Sequence, residues 1–230
     1  MAQTHITWLG QAGLLLERDG FRLMIDPYLS DSCGKVNPRS HRRVPVDPKF
    51  LAMQPDAILC THDHLDHTDP ETLGVLLNRT QPVTVLAPGT AWTKARAFGG
   101  PHNYVQFERH TRWTAGPFRL TAVKAAHSDP AAIGVLIEDG DRRLYVTGDT
   151  LYNTDVLADV RALGGAIDAV FLPVNGVGNN MNMTDAADFA AAVGARAVVP
   201  LHIGLFDDLT ADAFCCAGKV VPEFFKEIAL

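Results

Sequence analysis

Cysteine is scarce in this sequence, and no two cysteines have the spacing of a metal or redox motif. Four cysteines occur in 230 residues, at positions 33, 60, 215 and 216. This density is too low for a disulfide scaffold, and the C-x-x-C spacing of a zinc knuckle is absent. We therefore expect reduced thiols in a cytoplasmic protein.

The sequence also lacks an excess of positive charge and a long apolar run. It has 20 lysine and arginine residues against 26 aspartate and glutamate residues, a formal net charge of −6. Such a chain has no general basic field that would attract nucleic acid or an anionic membrane. Nowhere do about 18 apolar residues follow one another, and Met1–His5 has no signal-peptide pattern. We expect a soluble protein whose partner is a small molecule, and a homo-oligomer stays open.

The sequence contains enough apolar material for a single domain over residues 1–230. Hydrophobic residues make up 47% of the chain, which is enough to fill the core of a protein of this size. Short apolar runs separated by turn residues predict strands at 5–9, 13–17, 21–25, 57–60, 83–87, 104–107, 118–126, 133–138, 143–147, 169–172 and 197–201. Helical patterns cover 70–78, 89–98, 155–163, 185–193 and 211–217. Periodicity alone thus predicts a mixed α and β fold, of the α/β or α+β class.

The helix predicted at residue 70 has two candidate start signals. Asp69 can cap it with Pro70 at the first position, or Thr68 and Glu71 can form a capping box. Both place the start of the helix directly after the most unusual segment of the chain.

That segment crowds three histidines and an aspartate into six residues, as His62-x-His64-x-Asp66-His67. In an extended segment, residues i and i+2 point to the same side, so His62 and His64 can converge on one ion. The turn that follows can bring Asp66 and His67 to a neighbouring ion. Imidazole and carboxylate ligands without thiolate suit zinc, iron or manganese. The spacing therefore predicts a site for two metal ions.

Three further ligand-type residues come at the ends of predicted strands. His127, Asp149 and His202 each lie within two residues of the end of an apolar run. Polar groups at strand ends can meet at one rim of a stack of sheets. We expect them to complete the metal site.

This ordered set of residues resembles the metallo-β-lactamase fold superfamily of dinuclear metallohydrolases. The similarity runs from about residue 5 to about residue 206 and includes the segments 7–13 and 25–31. The resemblance implies an αββα sandwich of two mixed β-sheets flanked by helices, with the metal site at the rim between them. It also implies the ligand sets, which are His62, His64 and His127 for the first metal, Asp66, His67 and His202 for the second, and Asp149 as the bridging carboxylate.

A narrower resemblance points to one branch of that superfamily. Residues 61–69, 172–176, 182–188 and 199–206 resemble the L-ascorbate-6-phosphate lactonase-like group. This implies a branch and leaves the substrate open.

These expectations combine into a hypothesis of function. The protein would hold two divalent ions, Zn²⁺ or Mn²⁺ with Fe²⁺ left open, and a hydroxide bridging them would open a lactone or cleave another small ester, phosphorylated or not. Asp66 would also be catalytic, by passing a proton to the leaving alkoxide.

Two other functions stay open. The same two metal ions would also serve a phosphodiesterase or nuclease, by in-line attack of water on phosphorus. The net charge of −6 argues against a nucleic-acid substrate. A non-catalytic metal-dependent protein that binds a metabolite would carry the same ligands.

Three residues are candidates for substrate binding. Asn175 lies just beyond a strand end, and Asn182 precedes a predicted helix, where it could equally belong to a structural loop. Arg43 ends the concentrated positive segment Lys35–Arg43, and arginine suits bidentate phosphate binding. A solvated loop is the simpler interpretation of that segment.

Overall fold

A computed structural model describes residues 3–230, in which the strands form two six-stranded sheets. The first sheet contains β1 (His5–Gly10), β2 (Gly13–Arg18), β3 (Phe21–Ile25), β4 (Ala57–Leu59), β5 (Thr84–Ala87) and β6 (Asn103–Gln106), in that spatial order. The first three strands form an antiparallel meander, and β3 to β6 pair in parallel.

The second sheet has the same mixture of pairings. It contains β7 (Arg112–Ala115), β8 (Phe118–Lys124), β9 (Ile133–Glu138), β10 (Arg143–Val146), β11 (Ile167–Pro173) and β12 (Ala195–Leu201), again in consecutive order. Strands β7 to β10 are antiparallel, and β10 to β12 are parallel.

Six α-helices accompany the sheets: α1 (Ser32–Val36), α2 (Pro48–Ala52), α3 (Pro70–Leu76), α4 (Gly89–Arg96), α5 (Thr154–Ala162) and α6 (Met183–Val193) among the described residues. Apolar side chains of α2, α3 and α4 pack on the outer face of the first sheet. Helix α5 packs on β8, and α6 packs on β11 and β12. The architecture is therefore the expected αββα sandwich of two mixed sheets flanked by helices.

Alternation along the strands divides the apolar side chains between two cores. Leu14 and Leu16 of β2 belong to the core between the sheets, whereas Leu15 belongs to the core under α2, α3 and α4. The same division separates Leu59 from Ile58 in β4. Each buried side chain of this kind stabilises the fold by roughly 1.5–3 kcal/mol. The two cores hold the layers rigidly, so the loops at their rim start from fixed positions.

Helix α3 begins with the first of the two predicted caps. The Asp69 carboxylate accepts hydrogen bonds from the backbone N–H groups of Glu71 and Thr72, and Pro70 occupies the first helical position. The Thr68 hydroxyl instead donates to the carbonyl of His62 at 2.7 Å. The segment between His62 and the helix is thus fixed at both ends.

The helix predicted at residues 211–217 is wrong. Only a 3-10 turn forms, at Ala211–Ala213. Beyond it the backbone binds the edge of β12, because Val198 N–H donates to the carbonyl of Gly218 at 2.8 Å and Val220 N–H donates to the carbonyl of Val198 at 2.9 Å. Gly218 has a φ of +73° and begins this extended segment. Pairing with a sheet edge outweighs a weak local helix signal.

Four smaller elements had no counterpart in the predictions. These are β7, the two short helices α1 and α2, and a 3-10 turn at Pro38–Ser40. None of the helices within residues 3–230 has the length and apolarity that crossing a membrane requires.

Candidate metal centre

The predicted ligand residues all lie in segments that directly follow the ends of strands. His62 comes three residues after β4, and Asp149 three residues after β10. His127 likewise follows β8, and His202 follows β12 directly. The ends of strands from both sheets thus bring these residues to one rim of the sandwich, where the structure places all of them together.

The side chains form two adjoining groups. Within each group the ligand atoms lie within 4.8 Å of one another; the first contains His62, His64, His127 and Asp149, and the second contains Asp66, His67 and His202. Asp149 also reaches the second group, because its Oδ2 lies 3.4 Å from Nε2 of His67 and 3.2 Å from Nε2 of His202. Asp149 therefore lies between the two groups.

Several ligand-type atoms in this cluster are buried and have no hydrogen-bond partner among the described residues. They are His62 Nε2, His67 Nε2, His202 Nε2 and Asp149 Oδ1. Although His67 and His202 lie 3.4 and 3.2 Å from Asp149 Oδ2, their ring nitrogens do not have the angles of a hydrogen bond to it. Buried polar atoms in proteins are nearly always satisfied, so four convergent exceptions need an explanation. Imidazole nitrogens and a carboxylate oxygen are the donors that first-row divalent cations prefer. The donor set therefore fits a metal centre.

Asp26 fixes the orientation of His67 from behind. Its Oδ2 lies 2.8 Å from Nδ1 of His67, and its two carboxylate oxygens accept from the backbone N–H of Thr61 at 2.7 Å and from the Thr61 hydroxyl at 2.6 Å. Because Nδ1 is used in this way, Nε2 faces the cluster. Asp26 is fully buried and has a φ of +44°, a conformation that persists only where surrounding contacts hold it.

Gln11, in the β1–β2 turn, supports the second group in a similar way. Its Nε2 donates to Asp66 Oδ2 at 3.0 Å and lies 3.3 Å from Nδ1 of His202. Its carbonyl accepts from the backbone N–H of His202 at 3.0 Å and from the Trp8 indole at 2.9 Å. The turn between the first two strands is thereby tied to a ligand that follows the last strand.

The loop at residues 175–182, here called the asparagine loop, contacts three ligand residues. The Asn175 amide nitrogen lies 3.0 Å from Nδ1 of His202, and the Asn180 amide donates to Asp149 Oδ2 at 2.9 Å. The carbonyl of Asn179 lies 3.3 Å from Nδ1 of His127. One loop thus helps to position predicted ligands from both groups.

The three predicted substrate contacts have different surroundings. Asn175 faces His202 at the centre. The Asn182 side chain caps α6, because its oxygen accepts from the backbone N–H groups of Thr184 and Asp185, each at 2.9 Å. Arg43 forms an ion pair with Asp208 on the loop after β12. Asn182 and Arg43 therefore already have structural partners, and contact with a substrate stays a prediction for all three.

Burial and neighbouring charges shift the pKa values of three histidines in the cluster. Burial disfavours a charged His202, but Asp149 and Asp66 outweigh burial and raise the pKa of His202 to about 10. Burial also opposes a charged His67, yet Asp149 and Asp26 raise its pKa well above the ordinary value. Burial, reinforced by His67, lowers the pKa of His62. Because their pKa values are raised, protons compete with cations for His67 and His202.

Comparison with known proteins assigns the chain to a family. A family model described as a beta-lactamase superfamily domain matches residues 21–203. The chain belongs to the metallo-β-lactamase superfamily. A UPF0173 metal-dependent hydrolase from Exiguobacterium sp. is 31% identical in sequence to this chain. The alignment covers 92% of this chain and 92% of the relative.

Solved structures agree on the fold. Igni18, described as a novel metallo hydrolase from Ignicoccus hospitalis, superposes with a TM-score of 0.77 at 16% identity and covers 97% of either chain. An isothiocyanate hydrolase from Delia radicum gut bacteria gives a TM-score of 0.74 at 18% identity, with 98% of either chain covered. At such identities the likeness concerns the fold alone.

The supporting residues Asp26, Gln11 and Asn180 were missing from the predicted site. Asp26 carried a usable signal, since it follows β3 directly and so obeys the same strand-end rule as the predicted ligands. Gln11 and Asn180 lie in turns, and the residues that they contact are distant in sequence.

Proposed function

We propose that this protein is a dinuclear metal-dependent hydrolase that opens a lactone or cleaves a small ester. The observation that carries the proposal is the pair of adjoining ligand groups with Asp149 between them and with buried donor atoms that lack partners. Membership of the metallo-β-lactamase superfamily and the name of the Exiguobacterium relative support hydrolysis in general.

Seven side chains would hold the two cations. The first would bind His62, His64 and His127, the second would bind Asp66, His67 and His202, and Asp149 would contact both. When bound, divalent cations lower the pKa of water towards neutrality and polarise a carbonyl oxygen, so no side chain has to act as the nucleophile. Nitrogen and oxygen donors suit Zn²⁺ or Mn²⁺, and Fe²⁺ is compatible with them.

The surrounding residues set the protonation state of the ligands. Asp26 accepts the Nδ1 proton of His67, which frees Nε2 for a cation. For His202, binding through Nε2 likewise places its proton on Nδ1. The Asn175 amide would then turn its partnerless oxygen toward that proton, in place of the nitrogen that lies 3.0 Å from Nδ1. This role makes Asn175 a positioning residue.

Asp66 is the candidate for proton transfer to the leaving alkoxide. Its pKa is lowered, because the charges of His67 and His202 outweigh the opposing effect of burial. A carboxylate with a low pKa accepts protons weakly at neutral pH, so we expect its contribution to be smaller than that of the cations.

The motif segments that resemble the ascorbate-6-phosphate lactonase-like group support a cyclic ester as substrate. The isothiocyanate hydrolase, which has the same fold, acts by its name on isothiocyanates and not on esters. The bond type therefore has to be tested directly rather than taken from the fold.

The test compares two matched histidine variants. His62→Ala removes a buried predicted ligand. His5→Ala removes an exposed histidine of β1, which pairs with Glu227. After reconstitution with Mn²⁺ or Zn²⁺, each protein is assayed on γ-butyrolactone, p-nitrophenyl acetate and bis-p-nitrophenyl phosphate, and its metal content is measured by plasma mass spectrometry.

We expect the wild type and His5→Ala to hold about two metal ions and to hydrolyse the lactone and the ester, as a two-metal site requires. His62→Ala should lose metal and turnover together. Full activity of His62→Ala would overturn the assignment. Faster hydrolysis of the phosphodiester would instead make the protein a phosphodiesterase, and metal loading without any turnover would indicate a binding protein.

A further inference from the structure

Three arginine side chains line one cavity on a face of the second sheet. Arg112 of β7, Arg119 of β8 and Arg143 of β10 share this cavity of about 400 Å³ with Leu163, which directly follows α5. The strand register puts the three on one face, because Arg119 and Arg143 both pair with Glu138, and Arg112 pairs with the residue two positions after Arg119. Residues directly opposite one another, or two apart in one strand, point to the same face.

These guanidinium groups are not neutralised by the protein. Most arginine side chains in residues 3–230 bind a carboxylate or a carbonyl, as Arg109 binds Asp159 through its Nε at 3.2 Å. Within the same residues, no hydrogen-bond or ion-pair partner exists for the side chains of Arg112, Arg119 and Arg143. The Nε of Arg143 is moreover buried. A buried N–H group without an acceptor is rare in proteins and needs an explanation.

The carboxylates nearby do not provide that acceptor. Glu138 is the one acidic residue of the lining, and it forms no ion pair with Arg119 or Arg143 in the described part of the chain. Both oxygens of Asp168 are engaged, since one accepts from the backbone N–H of Arg143 and the other from Nη1 of Arg196, each at 2.8 Å. Gly165 leaves room for the guanidinium of Arg143, because an added Cβ would overlap its Nη1.

The cavity lies at the opposite end of the second sheet from the metal centre. Arg119 is the second residue of β8, and His127 follows the other end of that strand. The five residues from Arg119 to the end of β8 span about 17 Å at roughly 3.3 Å per residue. In the same way Arg143 begins β10, and Asp149 follows its end. A molecule in this cavity is therefore separate from the substrate at the metal centre.

We propose that this cavity, here called the arginine pocket, binds a phosphate dianion, either free or as the phosphate group of a small organic phosphate. Three guanidinium groups and one carboxylate leave a local formal charge of +2, which matches the charge of a phosphate monoester at neutral pH. Guanidinium groups bind phosphate oxygens in pairs, and Arg143 has an Nε that still needs an acceptor. A volume of about 400 Å³ is that of a small-molecule site.

The experiment is calorimetric titration of the metal-loaded full chain with ribose 5-phosphate, inorganic phosphate and uncharged ribose. Arg119→Gln removes an exposed guanidinium group of the arginine pocket. Arg96→Gln is the matched control, because Arg96 is also exposed, lies over the Trp92 ring on α4 and is remote from the second sheet. His62→Ala separates this binding from binding of phosphate to the metal ions.

We expect the wild type to bind ribose 5-phosphate and not ribose. Arg119→Gln and Arg143→Gln should each weaken binding about ten-fold, as the loss of one charge-assisted hydrogen bond predicts. Arg96→Gln should stay within two-fold of the wild type, and His62→Ala should keep this binding step. Tighter binding of ribose 5-phosphate than of inorganic phosphate would identify an organic phosphate as the ligand, and equal binding would identify the free ion.

Three results would overturn the inference: no heat of binding with millimolar phosphate, equal affinities of Arg119→Gln and Arg96→Gln, or a binding step that His62→Ala abolishes. The arginines would then serve to protect β7, an edge strand of the sheet, from pairing with another chain. Thermal unfolding checks that each variant is folded. If Arg119→Gln does not fold, Arg112→Gln tests the same prediction, because Arg112 is exposed on the edge strand.

Discussion

The carboxylate of Asp26 provides the sharpest test of how the site is held together, through the substitution Asp26→Asn. Asparagine has the same shape and tolerates the left-handed φ of +44° found at this position. In the wild type the N–H of Thr61 donates to Asp26 Oδ1 at 2.7 Å, and the oxygen of the asparagine can accept the same bond. The NH₂ group of the asparagine then faces Nδ1 of His67, from which Asp26 Oδ2 lies 2.8 Å in the wild type.

An NH₂ group cannot accept the Nδ1 proton of His67. The imidazole therefore changes tautomer and carries its proton on Nε2, the atom that faces the cluster. Loss of such a supporting partner typically weakens metal affinity 10- to 100-fold, which is about 1.4–2.8 kcal/mol. Because the first group uses other histidines, we expect only one of the two ions to be affected.

The assay is a competition titration of Zn²⁺ against a chromophoric chelator, which resolves the two binding steps. Asp139→Asn is the matched control: Asp139 is equally buried and accepts from the backbone N–H groups of Asp141 and Arg142, away from the centre. Both variants should lose thermal stability, and only Asp26→Asn should lose affinity for one zinc ion. Two zinc ions bound to Asp26→Asn with wild-type affinity would refute the proposed role of Asp26.

Two further predictions concern stability. Burial opposes ionisation of Asp159, but hydrogen bonds from Arg109 and His110 outweigh it and lower its pKa to about 2. A carboxylate whose pKa is lowered on folding stabilises the protein above its unfolded-state pKa, and this stabilisation is lost as the pH falls through the folded-state pKa. The free energy of unfolding should therefore fall by about 2 kcal/mol between pH 4 and pH 2. Urea unfolding of the wild type and Asp159→Asn over this range measures the loss, and equal pH profiles of the two proteins would contradict it. At Gly116, φ is +53° and an added Cβ would lie 2.3 Å from the Phe21 ring, whereas at Gly20, φ is +80° and no atom lies within 4 Å. Gly116→Ala should therefore lose about 1–3 kcal/mol more than Gly20→Ala in chemical denaturation, from overpacking, and similar losses in the two variants would show that Phe21 moves aside at no cost.

The parts of the site that were predictable obey local rules. His62, His64, Asp66 and His67 follow one another in the chain, so their spacing alone indicates a ligand cluster. His127, Asp149 and His202 were predictable because each follows an apolar run and because their order resembles a known superfamily. The structure brings all seven side chains together.

The parts that were not predictable depend on contacts between distant segments. Gln11 contacts Asp66 and His202, which are 55 and 191 positions away in the sequence. Its φ is +48°, and a glutamine gives no sequence signal for this left-handed conformation. The same reason explains the wrong helix at residues 211–217, where the edge of β12 captures the backbone. Local propensity cannot anticipate a partner that the fold supplies from elsewhere in the chain.

Anomalous diffraction from crystals of the Mn²⁺- or Zn²⁺-loaded protein would test the dinuclear site most directly. We predict two anomalous peaks, one among His62, His64 and His127 and the other among Asp66, His67 and His202, with Asp149 contacting both. For zinc, the nitrogen ligands should lie about 2.0–2.1 Å from the ions. A single peak would contradict the dinuclear site, and the absence of any peak in loaded crystals would leave the partnerless buried atoms of His62, His67, His202 and Asp149 without an explanation.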